Sequence, residues 1–119
     1  MKKISFDFDN VLDNEYIQNF AHQLIDEGFD IHIVTSRPPT DSWGWDNSDL
    51  FEISNKIGIK DDNIHFTDFK PKYTFFKENE DFLFHLDDDN IEVNEINNFS
   101  KVKAIYLDEN WKINCKKLY

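Results

Sequence analysis

The chain reads as an α/β protein, with a central, mostly parallel sheet of five strands and helices on both faces. Three observations predict this. Short apolar runs of strand length alternate along the chain with helical periodicities. Strands separated by crossover helices pair in parallel through right-handed βαβ units. Finally, acids, hydroxyls and cations stand just after the apolar runs, where open sheets of this kind bind ligands.

Ile4-Ser5-Phe6 is the first strand. Ile17, Phe20, Ala21, Leu24 and Ile25 recur at i, i+3, i+4, i+7 and i+8, which predicts an amphipathic helix over Tyr16–Glu27 that stops at Gly28. Ile31–Val34 is a second, β-branched strand. Pro38 and Pro39 open a polar loop that carries Trp43, Gly44 and Trp45. Leu50, Ile53 and Ile57 mark a second helix closed by Gly58, and Asn63–Phe66 is a short third strand. Pro71 suits the start of a third helix, where its missing N–H is harmless. Phe82–Leu86 is the fourth strand, Ile91–Ile96 a short helix, and Val102–Leu107 the fifth strand. The tail from Trp111 to Tyr119 is expected to add an edge strand. The sum is a three-layer, Rossmann-like arrangement.

A chain of 119 residues suits one domain over residues 1–119 with one core. Its 12 Phe, 4 Tyr and 3 Trp let so small a domain bury enough apolar surface to fold. Only 3 Gly and 3 Pro argue against a loop-rich or disordered chain. With 24 Asp and Glu against 13 Lys and Arg, the formal net charge is -11. That charge repels long nucleic acids and acidic membrane surfaces, but not a small phosphate ester approached through a divalent cation. The lone Cys115 excludes an internal disulfide and a Cys-based zinc site, and fits a reducing, cytoplasmic setting. No signal peptide and no apolar run of transmembrane length is expected.

Asp7 and Asp9 follow the first strand. Residues two apart in an extended chain point to one side, so both carboxylates would project together. Thr35, Ser36 and Arg37 follow the second strand, Lys70 and Lys72 flank Pro71, and Asp87, Asp88 and Asp89 follow the fourth strand. Neighbouring strands lie roughly 4.8 Å apart, so pairing of the first and fourth strands would crowd these acids. Two like charges 4 Å apart cost about 4 kcal/mol at an effective dielectric near 20. One lysine cannot neutralise the group. A hard cation such as Mg²⁺ can, and it keeps open positions for water and phosphate oxygens.

These motifs, in this order, resemble those of the haloacid dehalogenase superfamily of phosphohydrolases. Ile4 to Leu12 matches its apolar strand followed by Asp-x-Asp-x-Val/Thr, and Ile31 to Thr35 its strand ending in Thr or Ser. Lys72 best matches its helix-start lysine, with Lys70 and Lys77 as competitors. Phe82 to Asp88 matches its strand ending in paired acids. The runs Val34-Thr35-Ser36-Arg37, His85 to Asp89 and Leu107 to Trp111 look most like the small 5'-nucleotidase-type branch. The resemblance implies a Mg²⁺-dependent phosphomonoester hydrolase acting on a small phosphorylated substrate, with a nucleotide as the finer expectation. It makes Asp7 the nucleophile and Asp9 the acid/base. Thr35, Ser36 and Lys72 would hold the phosphoryl group. The metal would be bound by Asp7, Asp9 through its backbone carbonyl, and Asp88, with Asp87 assisting directly or through water.

Relatives acting on small metabolites often carry a cap after the first motif or before the fourth. Here Asp13 leads almost at once into a helix, and only one helix fits between the third strand and Asp87, so no sizeable cap is expected. A homodimer partner would be one way to cover such a site. The alternative function is a non-catalytic phosphate- or metal-binding module on the same fold. A response-regulator receiver fits the length and acidity but not the order, because here the doubled acids follow the fourth strand. Other residues have plainer expectations. His32 and His85 are structural, Asp89 caps a helix, and Arg37 either binds a distal phosphate or pairs with an acid. Trp43 and Trp45 are expected to pack and anchor their loop rather than contact a base.

Overall fold

The computed structural model describes all 119 residues. The strands are β1 (Lys3–Phe6), β2 (Asp30–Thr35), β3 (Ile64–Phe66), β4 (Phe82–Asp87) and β5 (Ala104–Tyr106). They form one sheet in the order β3-β2-β1-β4-β5, and every neighbouring pair is parallel. The helices are α1 (Glu15–Asp26), α2 (Ser48–Ile57), α3 (Lys72–Glu78), α4 (Asn90–Phe99) and α5 (Trp111–Lys116). Residues 7–14 join β1 to α1 and residues 67–71 join β3 to α3, so neither connection holds an inserted cap.

The sheet divides two apolar layers. On one face Ile4, Phe6, Ile31, Ile33, Phe84 and Leu86 pack against Ile17, Phe20, Ala21 and Leu24 of α1, with Leu50 and Ile57 of α2 and Cys115 of α5. On the other, Val34, Phe82 and Ala104 meet Phe76 of α3 and Val93 and Ile96 of α4. The helices end where their sequence ends them. Asn14 caps α1 by accepting a hydrogen bond from the Tyr16 N–H (2.9 Å), and Gly58 closes α2 with φ of 98°. Truncating fully buried Leu24 to Ala would cost about 3 kcal/mol through lost transfer energy and a residual cavity.

One irregularity bears on the site. Lys3 pairs with Phe82, but Ser5 pairs with His85, so β4 carries one residue more than β1 between these points. The bulge flips the facing of β4. Phe82, before it, then packs in the α3/α4 layer, while Ser5 and His85 meet across the strands beyond it.

The tail departs from expectation. Trp111–Lys116 is helix α5, not an edge strand. Trp111, Cys115 and Leu118 fall at i, i+4 and i+7, a helical stripe that turns onto the α1 face. Trp111 meets Phe20 edge-on at 5.2 Å, and burial pushes the Cys115 thiol up to about 12. No helix is long and apolar enough to cross a membrane.

Candidate active site

The carboxyl edge of the sheet brings together most of the residues singled out above. Asp7 sits where β1 ends, its N–H donating to the Leu86 carbonyl of β4 (2.9 Å). Its Oδ1 accepts from the Phe8 N–H (2.8 Å) and pairs with Lys72 Nζ (2.8 Å). Lys72 opens α3, and its backbone N–H is held by Glu92 of α4 (2.9 Å). Its ammonium is almost wholly buried and also reaches Asp87 Oδ2 at 2.6 Å. Lys70 and Lys77 stay exposed, so Lys72 is the lysine at this site.

Asp87 is fully buried yet fully engaged. Besides Lys72, it accepts from His85 Nε2 (2.8 Å) and from the Asp89 N–H (3.0 Å). Behind it, His85 Nδ1 lies 2.8 Å from Ser5 Oγ. A carboxylate only accepts, so His85 donates through Nε2 and accepts at Nδ1 from the Ser5 hydroxyl. Burial holds the His85 pKa below its usual value against the pull of Asp87, which suits this neutral tautomer. Burial alone would raise the Asp87 carboxyl, but His85 and Lys72 together hold it well below the usual carboxylate range. Burial likewise opposes the charge on Lys72, and Asp7 and Asp87 outweigh it, raising the ammonium above its ordinary value. Asp7 moves the other way. Burial, with Asp87 and Asp88 nearby, holds it well above the usual range despite Lys72.

Asp7, Asp87 and Asp88 place carboxylate oxygens within 4.8 Å of one another. Three carboxylates face one ammonium, and the donors are oxygen alone. That chemistry fits a small hard cation. Within the group the oxygens differ. Both Asp87 oxygens already accept hydrogen bonds, whereas Asp7 Oδ2 and the half-buried Asp88 carboxylate carry none from the protein. Asp7 and Asp88 are therefore the available side-chain ligands, with Asp87 serving chiefly to hold Lys72.

Asp9 keeps different company. After Asp7 the chain makes one irregular turn over residues 8–12, broken by Asn10 at φ 61°. The Asp9 carboxylate forms a two-pronged pair with Arg37. Arg37 Nε donates to Oδ2 at 3.0 Å and Nη2 to Oδ1 at 2.7 Å. Asp7 and Asp9 thus engage different cations, Lys72 and Arg37. Arg37 also donates to Asp49 twice (2.8 and 2.9 Å) and to Asn47 (3.3 Å), and it stacks over the Phe8 ring at 4.9 Å. All five guanidinium N–H groups are used. Of the two readings of Arg37, pairing with acids is the one observed.

Thr35 and Ser36 stand at the end of β2. Thr35 is buried, and its Oγ1 accepts from the Arg37 N–H (3.3 Å), leaving its own proton to donate. Ser36 is exposed, and its carbonyl accepts from the Phe69 N–H (2.7 Å). Asp89 caps α4, accepting from the N–H groups of Ile91 and Glu92. His32 is buried and paired with Asp30 and His65. Trp45 packs edge-on against Phe69 at 5.9 Å, as a packing role requires. Trp43 does not pack. It is 79% exposed, held only by a hydrogen bond from its Nε1 to Asp68 Oδ1 (3.2 Å).

Sequence reasoning read His85 as structural, which its full burial bears out, but missed its bond to Asp87, and it missed Glu92, Asp49 and Asn47. His85 lies two residues before Asp87 on the same strand, so strand periodicity alone could have placed both side chains on one face. Asp49 and Asn47 carry no such signal, because they reach Arg37 from across a loop. No protein-family model matches the chain, and no curated protein sequence matches it.

Proposed function

We propose that the chain is a Mg²⁺-dependent phosphomonoester hydrolase that works through an aspartyl-phosphate on Asp7. The observation that carries this reading is the buried Asp7–Lys72–Asp87 chain with Asp88 beside it at the carboxyl edge. The resemblance of the four motifs to the haloacid dehalogenase superfamily supports it.

In this reading the Asp7 carboxylate attacks phosphorus in line, and the bond from phosphorus to the leaving oxygen breaks. Lys72 fixes the Asp7 carboxylate through Oδ1 and offsets charge at the phosphoryl group. The Thr35 hydroxyl and Ser36 donate to phosphoryl oxygens. Asp9 protonates the leaving oxygen, then takes a proton from the water that attacks phosphorus and frees phosphate from Asp7. To donate a proton, the Asp9 carboxyl must first release one prong of Arg37, since a protonated oxygen repels the N–H it faces. With its side chain half exposed, Asp9 has room to do so. Asp7, Asp88 and the Asp9 backbone carbonyl would hold Mg²⁺, which supplies the positive charge a carboxylate needs to approach an anionic ester.

The test is phosphate release from a panel of nucleotides, sugar phosphates and phosphopeptides, with and without Mg²⁺. Turnover should require the metal, and Asp7→Asn should lose on the order of 10³-fold or more. Activity that survives Asp7→Asn would sink the reading. The Arg37 clamp on Asp9 favours one second reading, a phosphate- or metal-binding module on the same fold. Tight Mg²⁺ binding in calorimetry, without turnover of any panel member, is its signature.

A further inference from the structure

We infer that His85 is a positioning residue: its Nε2–H commits the Asp87 carboxylate to Lys72 and so keeps the ammonium aimed at Asp7. The inference rests on the phosphomonoesterase reading only for what that aim does to turnover.

A line of polar groups runs inward from Asp7. Lys72 Nζ lies 2.8 Å from Asp7 Oδ1 and 2.6 Å from Asp87 Oδ2. His85 Nε2 lies 2.8 Å from the same Asp87 oxygen, and Ser5 Oγ closes the line 2.8 Å from His85 Nδ1. Ser5, His85 and Asp87 are wholly buried, and Lys72 and Asp7 nearly so. Burying an imidazole costs desolvation that an apolar side chain avoids, and a fully satisfied buried network rigidifies its members. The bulge in β4 puts His85 on the α3 side of the sheet, where its ring meets Phe76 at 5.0 Å. Packing on Phe76 needs a ring. It does not need the Nε2–H.

Lys72 needs that donor at one remove. An ammonium on a flexible stem has no preferred direction of its own, so its acceptors must be fixed. The Phe8 N–H fixes Asp7 Oδ1, and Glu92 holds the Lys72 backbone. On Asp87, the Asp89 N–H holds Oδ1 and His85 holds Oδ2. Without the His85 donor, Oδ2 is free to swing from Lys72 toward the oxygens of Asp7 and Asp88, all within 4.8 Å. His85 thus decides between two roles for one carboxylate, lysine anchor and cation ligand.

The test compares two amides in the full chain. The His85→Gln side chain is long enough to donate to Asp87. The His85→Asn side chain is one methylene shorter and reaches only toward Ser5. Both lose the ring, so a role in packing alone predicts the same behaviour for both. The first readout needs no substrate and follows the Lys72 ammonium by ¹⁵N NMR. Its protons should exchange slowly in wild type and His85→Gln, and roughly 10-fold faster in His85→Asn. On any phosphate ester that wild type turns over, His85→Asn should lose roughly 10- to 100-fold in kcat, with KM changed less than about threefold. His85→Gln should stay within about fivefold of wild type. Thermal melts establish that the variants fold. If His85→Asn does not, Ser5→Ala/His85→Phe keeps a ring against Phe76 without the donor, and the same losses are expected of it. A donor-lacking variant that matches His85→Gln in ammonium exchange, or in turnover, overturns the positioning role. A wild type that hydrolyses no ester, while ammonium exchange still separates the variants, overturns the phosphatase reading and leaves the positioning role standing.

Discussion

Asp7 and Asp9, two residues apart, end in separate ion-pair networks, and the single residue responsible is Arg37. Its planar fork matches two carboxylates at once, a geometry that lysine cannot reproduce. Both pairs are partly exposed, so their worth is reduced by solvent. Arg37→Lys should therefore cost about 1–2 kcal/mol, lost from the fork hydrogen bonds and the stacking on Phe8. Urea denaturation of the two proteins would measure it. The variant should also lower any phosphatase activity, because the two-pronged hold on the Asp9 carboxylate is lost. Unchanged turnover would remove Arg37 from the account of Asp9. In the sequence, Lys72 best matches the helix-start lysine but competes with Lys70 and Lys77. Its bridge between Asp7 and Asp87 decides among them, and that depends on where three separate elements meet.

Secondary elements were readable where one period dominated. The helical repeat from Ile17 to Ile25 and the β-branched run Ile31–Val34 both lie within the elements observed. The tail failed because Trp111–Tyr119 mixes apolar and polar residues at short range, and only packing on Phe20 selects the helix. Between β2 and β3 another pairing emerges that no motif announced. His32 Nε2 lies 3.0 Å from Asp30, and His32 Nδ1 lies 2.9 Å from His65 Nε2. Burial, then the neighbouring charges of His32 and Lys3, push the His65 pKa down to about 4. A histidine depressed in the fold is neutral there, so its stabilising contribution is full above about pH 6.5. The contribution is lost as pH falls from about 6.5 toward 4. The uncorrected shift corresponds to about 3 kcal/mol, and half-burial reduces this to about 1–2 kcal/mol. His65→Phe should lose less stability than wild type between pH 7 and pH 4.5, read from urea midpoints at each pH. Equal losses would exclude His65 as the acid-sensitive group.

At the scale of the whole molecule, the Cα radius of gyration is 13.2 Å. About 13.5 Å is expected for one compact domain of this length. In so small a fold, a ligand that binds the native state alone has a visible effect on stability. Mg²⁺ at a hundred times its dissociation constant should add about 2.7 kcal/mol, a rise of several degrees in melting temperature. Asp88→Asn should abolish most of that rise and should raise metal-free stability, since it removes one of three crowded carboxylates. A melting temperature indifferent to Mg²⁺ in wild type would exclude the cation site.

The alternation of strands and helices, the mostly parallel sheet and the placing of Asp7, Thr35, Asp87 and Asp88 at the carboxyl ends of strands were determined by the sequence itself, while the strand order and the choice of Lys72 came with the fold. Period and spacing are local properties, and the right-handed βαβ rule converts them into an arrangement. Only the tertiary structure decided which oxygens are left free, that Asp9 answers to Arg37, and that Trp43 stands in solvent. Those outcomes depend on side chains from distant elements competing for the same donors and the same space, and no local pattern in the chain encodes that competition.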